Sequence, residues 1–231
     1  MSTPITGISS MATRLLLADL AAAYQQQFQV PVQFESLGGV EAAKKVQQGE
    51  AVDLVVLASD AIDKLMAGGF LLPASRRDLV RSSVAIAVQA GAALPDVSSE
   101  AALRASVLAA PSIGYSTGPS GTALLKLFER WGLGETLKDR LVQARPGVPV
   151  GSLVAQGEVA LGFQQLSELK DLPGITLLGG MPPGLEIVTT FTGAVRAGAA
   201  QADAAQAVLD FMSAPAQNAL KERHGMEAAQ A

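Results

Sequence analysis

Four short stretches of the chain gather small hydroxyls and glycines: Ser9-Ser10-Met11, Ser36-Leu37-Gly38-Gly39, Ser116-Thr117-Gly118-Pro119-Ser120-Gly121-Thr122 and, after Pro146 to Val150, Gly151-Ser152. Three of them follow a Val- or Ile-containing run, and all lead into a stretch of helical period. A helix that starts at such a junction presents unbonded backbone N–H groups and the positive end of its dipole, beside hydroxyls that can donate. That chemistry suits an anion. Ser, Thr and Gly also cap helices in any protein, so one junction alone would mean little. Four of them on an open α/β sheet, whose ligand crevice lies outside the carboxyl ends of its strands, point to an oxyanion or carboxylate site.

Other chemistries find no support. Gly118-Pro119-Ser120-Gly121-Thr122 lacks the glycine spacing and adjacent lysine of a phosphate loop, because Lys126 comes four residues too late. No Gly-x-Gly-x-x-Gly follows the first strand and no Gly-x-Ser-x-Gly elbow is present. The single histidine, His224, stands in a Lys-Glu-Arg-His-Gly context that reads as a basic helix end. With no cysteine and scattered acidic residues, no metal or cofactor site is expected. Seventeen basic against 21 acidic residues give a net charge of -4 without like-charge blocks, which argues against nucleic acid as a partner.

The elements that must position these junctions are short Val- and Ile-rich runs alternating with Ala/Leu/Lys/Glu stretches, the pattern of an α/β fold with parallel strands. Strands are expected at 5–8, 30–35, 54–57, 84–88, 112–115, 159–163, 176–178 and 187–195. Helices are expected at 12–27, 40–48, 61–67, 99–108, 121–131, 150–155, 202–212 and 215–224. The 231 residues, 49% hydrophobic and 16% charged, suffice for one large domain or two lobes with real cores. No apolar run reaches the roughly 18 residues of a spanning helix, so no membrane insertion is expected. The start, Met-Ser-Thr-Pro-Ile-Thr-Gly, lacks a basic segment followed by an apolar core. The expected compartment is the cytoplasm for the chain as it stands, or the periplasm if a leader has been removed.

Several spaced motifs carry a resemblance. Ala21 to Tyr24, Val32-Gln33-Phe34-Glu35-Ser36-Leu37-Gly38-Gly39, and the run from Val46 through Gly49 and Asp53 to Asp60 resemble the first lobe of bacterial molybdate-type substrate-binding proteins. Ser112 to Gly121, Val154 to Phe163 and Ala205 to Gln217 follow in the order of that superfamily, so the resemblance covers nearly the whole chain. It implies a class II periplasmic-binding-protein-like fold, with two α/β lobes of mainly parallel sheet joined by two crossing strands and closing on a small anion. Lobe one would be 1–80 plus 196–231, and lobe two 81–195 with the crossover strands. The resemblance implies neutral donors for the oxyanion, which fall by position on Ser9 or Ser10, Gly39, the turn from Val148 to Ser152, and Gln164. Gly39 has no hydroxyl where that superfamily uses serine, and Gln164 replaces a phenol.

Gly147 to Glu158 and Gly162-Phe163-Gln164-Gln165-Leu166-Ser167-Glu168-Leu169 are more similar to a branch that includes aconitate isomerase. Three readings stay open. The first is a receptor for a di- or tricarboxylate, serving an ABC transporter only if exported; the second is an aconitate isomerase-like enzyme, and the third a molybdate or tungstate binder. A carboxylate is planar and often gripped by a guanidinium fork, for which Arg81 is the first candidate, then Arg14 and Lys45. The first-lobe wall is expected to hold Ser9, Ser10, Gly38 and Gly39. The second is expected to hold Arg81, Ser116, Ser120, Gly121, Thr122, Val150, Gly151 and Gln164, with closure of the lobes strengthening each charge-assisted hydrogen bond. An isomerase would need a proton-transfer group; Asp60, Glu35, Glu41, Glu168 and Tyr115 lie near expected strand ends, and the residues alone do not choose among them.

Overall fold

A run of five buried residues, Leu54–Ala58, shows how the first half of the chain is built. Side chains alternate along a strand, and here Leu54 and Val56 enter one apolar cluster while Val55 and Leu57 enter another. The strand is therefore covered on both faces, as parallel strands in α/β proteins are. In a computed structural model, which describes residues 3–229, the chain divides into two compact units. One is formed by the chain up to Ser82 and from Thr189 onward, the other by Ser83–Val188.

In chain order the elements are β1 (Ile5–Ser10), α1 (Arg14–Phe28), β2 (Val32–Leu37), α2 (Gly39–Gln47), β3 (Leu54–Ala58), α3 (Ser59–Ala67) and β4 (Arg77–Gln89). Next come α4 (Glu100–Ala109), β5 (Ile113–Tyr115), α5 (Pro119–Arg130), α6 (Gly134–Leu137), β6 (Leu141–Gln143) and α7 (Val150–Ala155). They continue with β7 (Leu161–Gln165), α8 (Leu166–Leu169), β8 (Ile175–Gly180), β9 (Val188–Val195), α9 (Ala202–Ser213), α10 (Asn218–Arg223) and β10 (Glu227–Ala228).

The first unit is organised on β2-β1-β3, all parallel, with Ser9 opposite both Ser36 and Val56. β9 closes antiparallel on β3, from Leu54↔Val195 to Ala58↔Phe191. Leu16, Leu17, Leu20, Leu209 and Met212 of α1 and α9 cover one face; Ala42, Val46, Ile62 and Leu65 of α2 and α3 cover the other. Asp53 ties distant parts of this unit together. Its carboxylate accepts from the Thr6 amide at 3.0 Å and from the Gln201 amide at 3.2 Å.

The second unit repeats the plan with β7-β5-β6 parallel and β4 antiparallel to both β7 and β8. Its larger core gathers Ile86, Leu103, Ile113, Leu124, Phe128, Leu161 and Phe163. Gly162 on β7 is bare for a reason: a Cβ there would lie 2.5 Å from Val154 Cγ2, so α7 can lie close only against glycine.

Some expectations need correction. The strand expected at 84–88 runs from Arg77 to Gln89, its charged start disguising it. Arg77 there pairs with Asp210 at 2.8 Å, and Asp78 with Arg76 at 3.0 Å, so the charges sit on a partnered edge of a strand. The helix expected from residue 12 begins at Arg14, after a 3-10 turn over Met11–Thr13 that Ser10 caps. The last expected helix splits into a 3-10 turn, Pro215–Gln217, and α10. The elements α6, β6, α8 and β10 were not expected; each has two to four residues. No helix among the described residues is long and apolar enough to cross a membrane.

Candidate functional site

In the first unit the carboxyl ends of β1, β2 and β3 lead directly into the 3-10 turn, α2 and α3. Ser9 and Ser36 close neighbouring strands in register, and their hydroxyl oxygens are 2.8 Å apart. Ser9 is fully buried and Ser36 only partly. Either hydroxyl can donate in this pair, and two hydroxyls share one mutual bond while owning two protons, so the mutual bond uses only one of them. Ser10 caps the turn by accepting from the Ala12 amide at 3.4 Å. α2 starts at Gly39 after the N-cap Gly38, and nothing lies within 4 Å of where a Gly39 Cβ would stand. The structure thus brings Ser9, Ser10, Gly38 and Gly39 to one edge, with the Ser36 hydroxyl beside Ser9. Ser36 was not among the expected site residues; its signal is a serine near the end of each of two adjacent strands.

In the second unit the parallel trio again ends in helix starts. At α5 the Ser116 and Ser120 hydroxyls are 3.1 Å apart, and Thr122 Oγ1 donates to the Gly118 carbonyl at 3.5 Å. Gly121 permits this turn, because a Cβ there would lie 1.9 Å from the Ser116 carbonyl oxygen. Across the trio, β7 ends in Gln164 and Gln165, both buried. The Gln164 side chain spans two elements: its Oε1 accepts from the Gly151 amide at 3.2 Å, and its Nε2 donates to Glu168 Oε1 at 2.8 Å. Gly151 lets α7 approach α8, since a Cβ there would lie 2.8 Å from Leu169 Cδ2. Burial pushes the Glu168 carboxyl up to about 7, against the hydrogen bond from Gln164, which lowers it.

Two expected site residues are placed differently. Arg81, expected on the second wall, belongs to the first unit, where its guanidinium lies 3.6 Å from Glu227 of β10. Val150 is fully buried among Ala144, Val154 and Val159, so its side chain serves the core and only its position at the start of α7 serves the edge. Of the other cationic candidates, Lys45 pairs with Glu35 at 2.7 Å. Arg14, just past the carboxyl end of β1, and Arg145, just past that of β6, are exposed and form no ion pair among the described residues. Arg145 escaped the sequence reading because β6, which positions it, is only three residues long.

Serine hydroxyls and helix starts at the carboxyl ends of strands, in each of two α/β units, define the two-lobed periplasmic-binding-protein fold. Solved structures agree. The chain is similar to the periplasmic molybdate-binding protein of Azotobacter vinelandii, with a TM-score of 0.81 and 21% identity over 98% of this chain and 100% of that one. It is also similar to the tungstate ABC transporter structure from Geobacter sulfurreducens, with a TM-score of 0.76 and 16% identity over 95% and 98% of the two chains. Over residues 5–227 the sequence matches the bacterial extracellular solute-binding proteins, and the chain belongs to that family. Among curated proteins it is 35% identical over 219 residues to an aconitate isomerase from Pseudomonas sp., covering 91% of this chain and 82% of the relative.

Proposed function

We propose that the chain binds a small anion and that this anion is a di- or tricarboxylate. The observation that carries the reading is the set of neutral donors at both carboxyl edges: the Ser9–Ser36 pair, the Ser116–Ser120 pair and the open amide end of α2. Uncharged donors hold an oxyanion without an ion pair, as helix starts do for phosphate and sulfate. Arg14 and Arg145 favour carboxylates over a bare oxyanion. They are guanidiniums without ion pairs among the described residues, close to those edges, and suited to bidentate grip of a planar carboxylate. The relatives named for molybdate and tungstate share the fold at 21% and 16% identity, which leaves the ligand open. As a binder of this kind, an exported form of the chain would serve an ABC importer.

A second reading, isomerisation of aconitate, is favoured by the 35% identity to a protein of that activity over 91% of the chain. Thermal unfolding against citrate, cis-aconitate, trans-aconitate, molybdate and tungstate tests the ligand class, because a bound ligand raises the melting temperature by mass action. A rise with the tricarboxylates alone is expected. A rise with molybdate or tungstate alone would overturn the carboxylate assignment, and no rise with any of the five would overturn anion binding.

A further inference from the structure

We propose that Glu168 is the proton carrier of an allylic isomerisation: its carboxylate takes a proton from the methylene of an unsaturated tricarboxylate and returns it to the former vinyl carbon. This rests on the isomerase reading. The methylene C–H bond breaks, and its electron pair forms a new double bond to the central carbon. The pair of the old double bond moves onto the far carbon and its carboxylate, and the proton on Glu168 then passes to that carbon. The double bond has moved by one carbon, the proton count is unchanged, and nothing is oxidised or reduced.

Geometry selects Glu168 among the acidic side chains near strand ends. Glu35 is tied to Lys45 at 2.7 Å and Asp60 to Lys64 at 3.8 Å, both at the surface. Glu41 is exposed in the first turn of α2. Glu168 alone among these is both partly buried and held by a fixed amide. The Gln164 side chain cannot turn over without losing both the Gly151 amide and Glu168, so it fixes the carboxyl through Oε1. The other oxygen, Oε2, has no partner among the described residues and is left to meet a substrate. Gln164 is in this scheme a positioning residue. A carboxyl that titrates near neutrality can serve as base in one half of the reaction and as acid in the other, and burial gives Glu168 that property.

The test follows cis- and trans-aconitate interconversion by ultraviolet absorbance, and deuterium uptake from D2O by mass spectrometry, for the full chain and for Glu168→Gln and Glu168→Asp. For Glu168→Gln we expect kcat to fall at least 100-fold, with deuterium uptake lost and aconitate affinity by calorimetry within about threefold of wild type. Glu168→Asp keeps a carboxyl and is expected to recover part of both turnover and uptake; Glu168→Ala, which has none, serves should the glutamine variant not fold. An active wild type with Glu168→Gln, or in its place Glu168→Ala, retaining full turnover would overturn the assignment alone. A wild type that converts neither isomer would overturn the isomerase reading and the assignment with it.

Discussion

The two carboxyl edges differ in what they can do to a ligand. In the first unit the donors are hydroxyls and backbone amides, Ser9 and Ser36 bonded at 2.8 Å and α2 opening at Gly39, and none of them titrates near neutrality. In the second unit the comparable place at the end of β7 holds Gln164 and a carboxyl whose pKa burial lifts to about 7. On the proposed function, the first edge would only grip a ligand, while the second would also exchange a proton with it. By that proposal a binding-protein fold needs few changes to become catalytic: one edge retains the donors, and the other acquires a buried acid with an amide to aim it.

The difference in packing between the edges is the easiest to break. Gly121→Ala sets a methyl against the Ser116 carbonyl and is expected to lower unfolding free energy by about 2 to 3 kcal/mol in urea titrations. Gly39→Ala meets nothing within 4 Å and is expected to change stability by less than about 1 kcal/mol, in the stabilising direction because alanine suits a helix better. Equal losses at the two positions would refute a tight second edge and an open first one.

The titrating group offers a subtler contrast. The folded state holds the Glu168 proton up to about pH 7, whereas an unfolded carboxyl releases it near the ordinary glutamate value of 4.5. Between those values the folded chain binds more protons than the unfolded one, so this residue's contribution is full below about pH 4.5 and is lost as the pH rises through 7. Glu168→Gln should remove that slope. The difference between wild type and variant is expected to change by about 3 kcal/mol across the window in denaturation series; parallel curves would show that burial does not hold the proton. The last contrast is Ser36→Ala, which removes the more exposed hydroxyl of the Ser9–Ser36 pair. It is expected to weaken anion binding about tenfold in calorimetry, near 1.4 kcal/mol, with no change in pH dependence.

Much of the plan was legible because apolar period reports burial. β3, β7 and α7 stand close to where their residues put them, since five consecutive apolar residues in β3 fit only a strand covered on both faces. β4 was legible only in its apolar half, because Arg77, Asp78 and Arg81 find partners far along the chain, such as Asp210 and Glu227. The site was legible by class and less by residue. Serines at strand ends announce donors, but that Ser9 meets Ser36 depends on a parallel register across 27 residues. Glu168 sits in Leu-Ser-Glu-Leu-Lys, which reads as an ordinary amphipathic turn; its burial comes from packing that local pattern does not encode.

The first unit is interrupted by the second, and β3 finds its neighbour β9 only after more than a hundred intervening residues. During translation the opening segment therefore leaves the ribosome with one flank of β3 unpaired, and Asp53 without Gln201. The inserted unit, continuous from Ser83 to Val188, can mature while that flank waits. Chains stalled just after Val188 has left the ribosome should consequently yield a protease-resistant fragment from the middle of the sequence, ahead of one from its beginning.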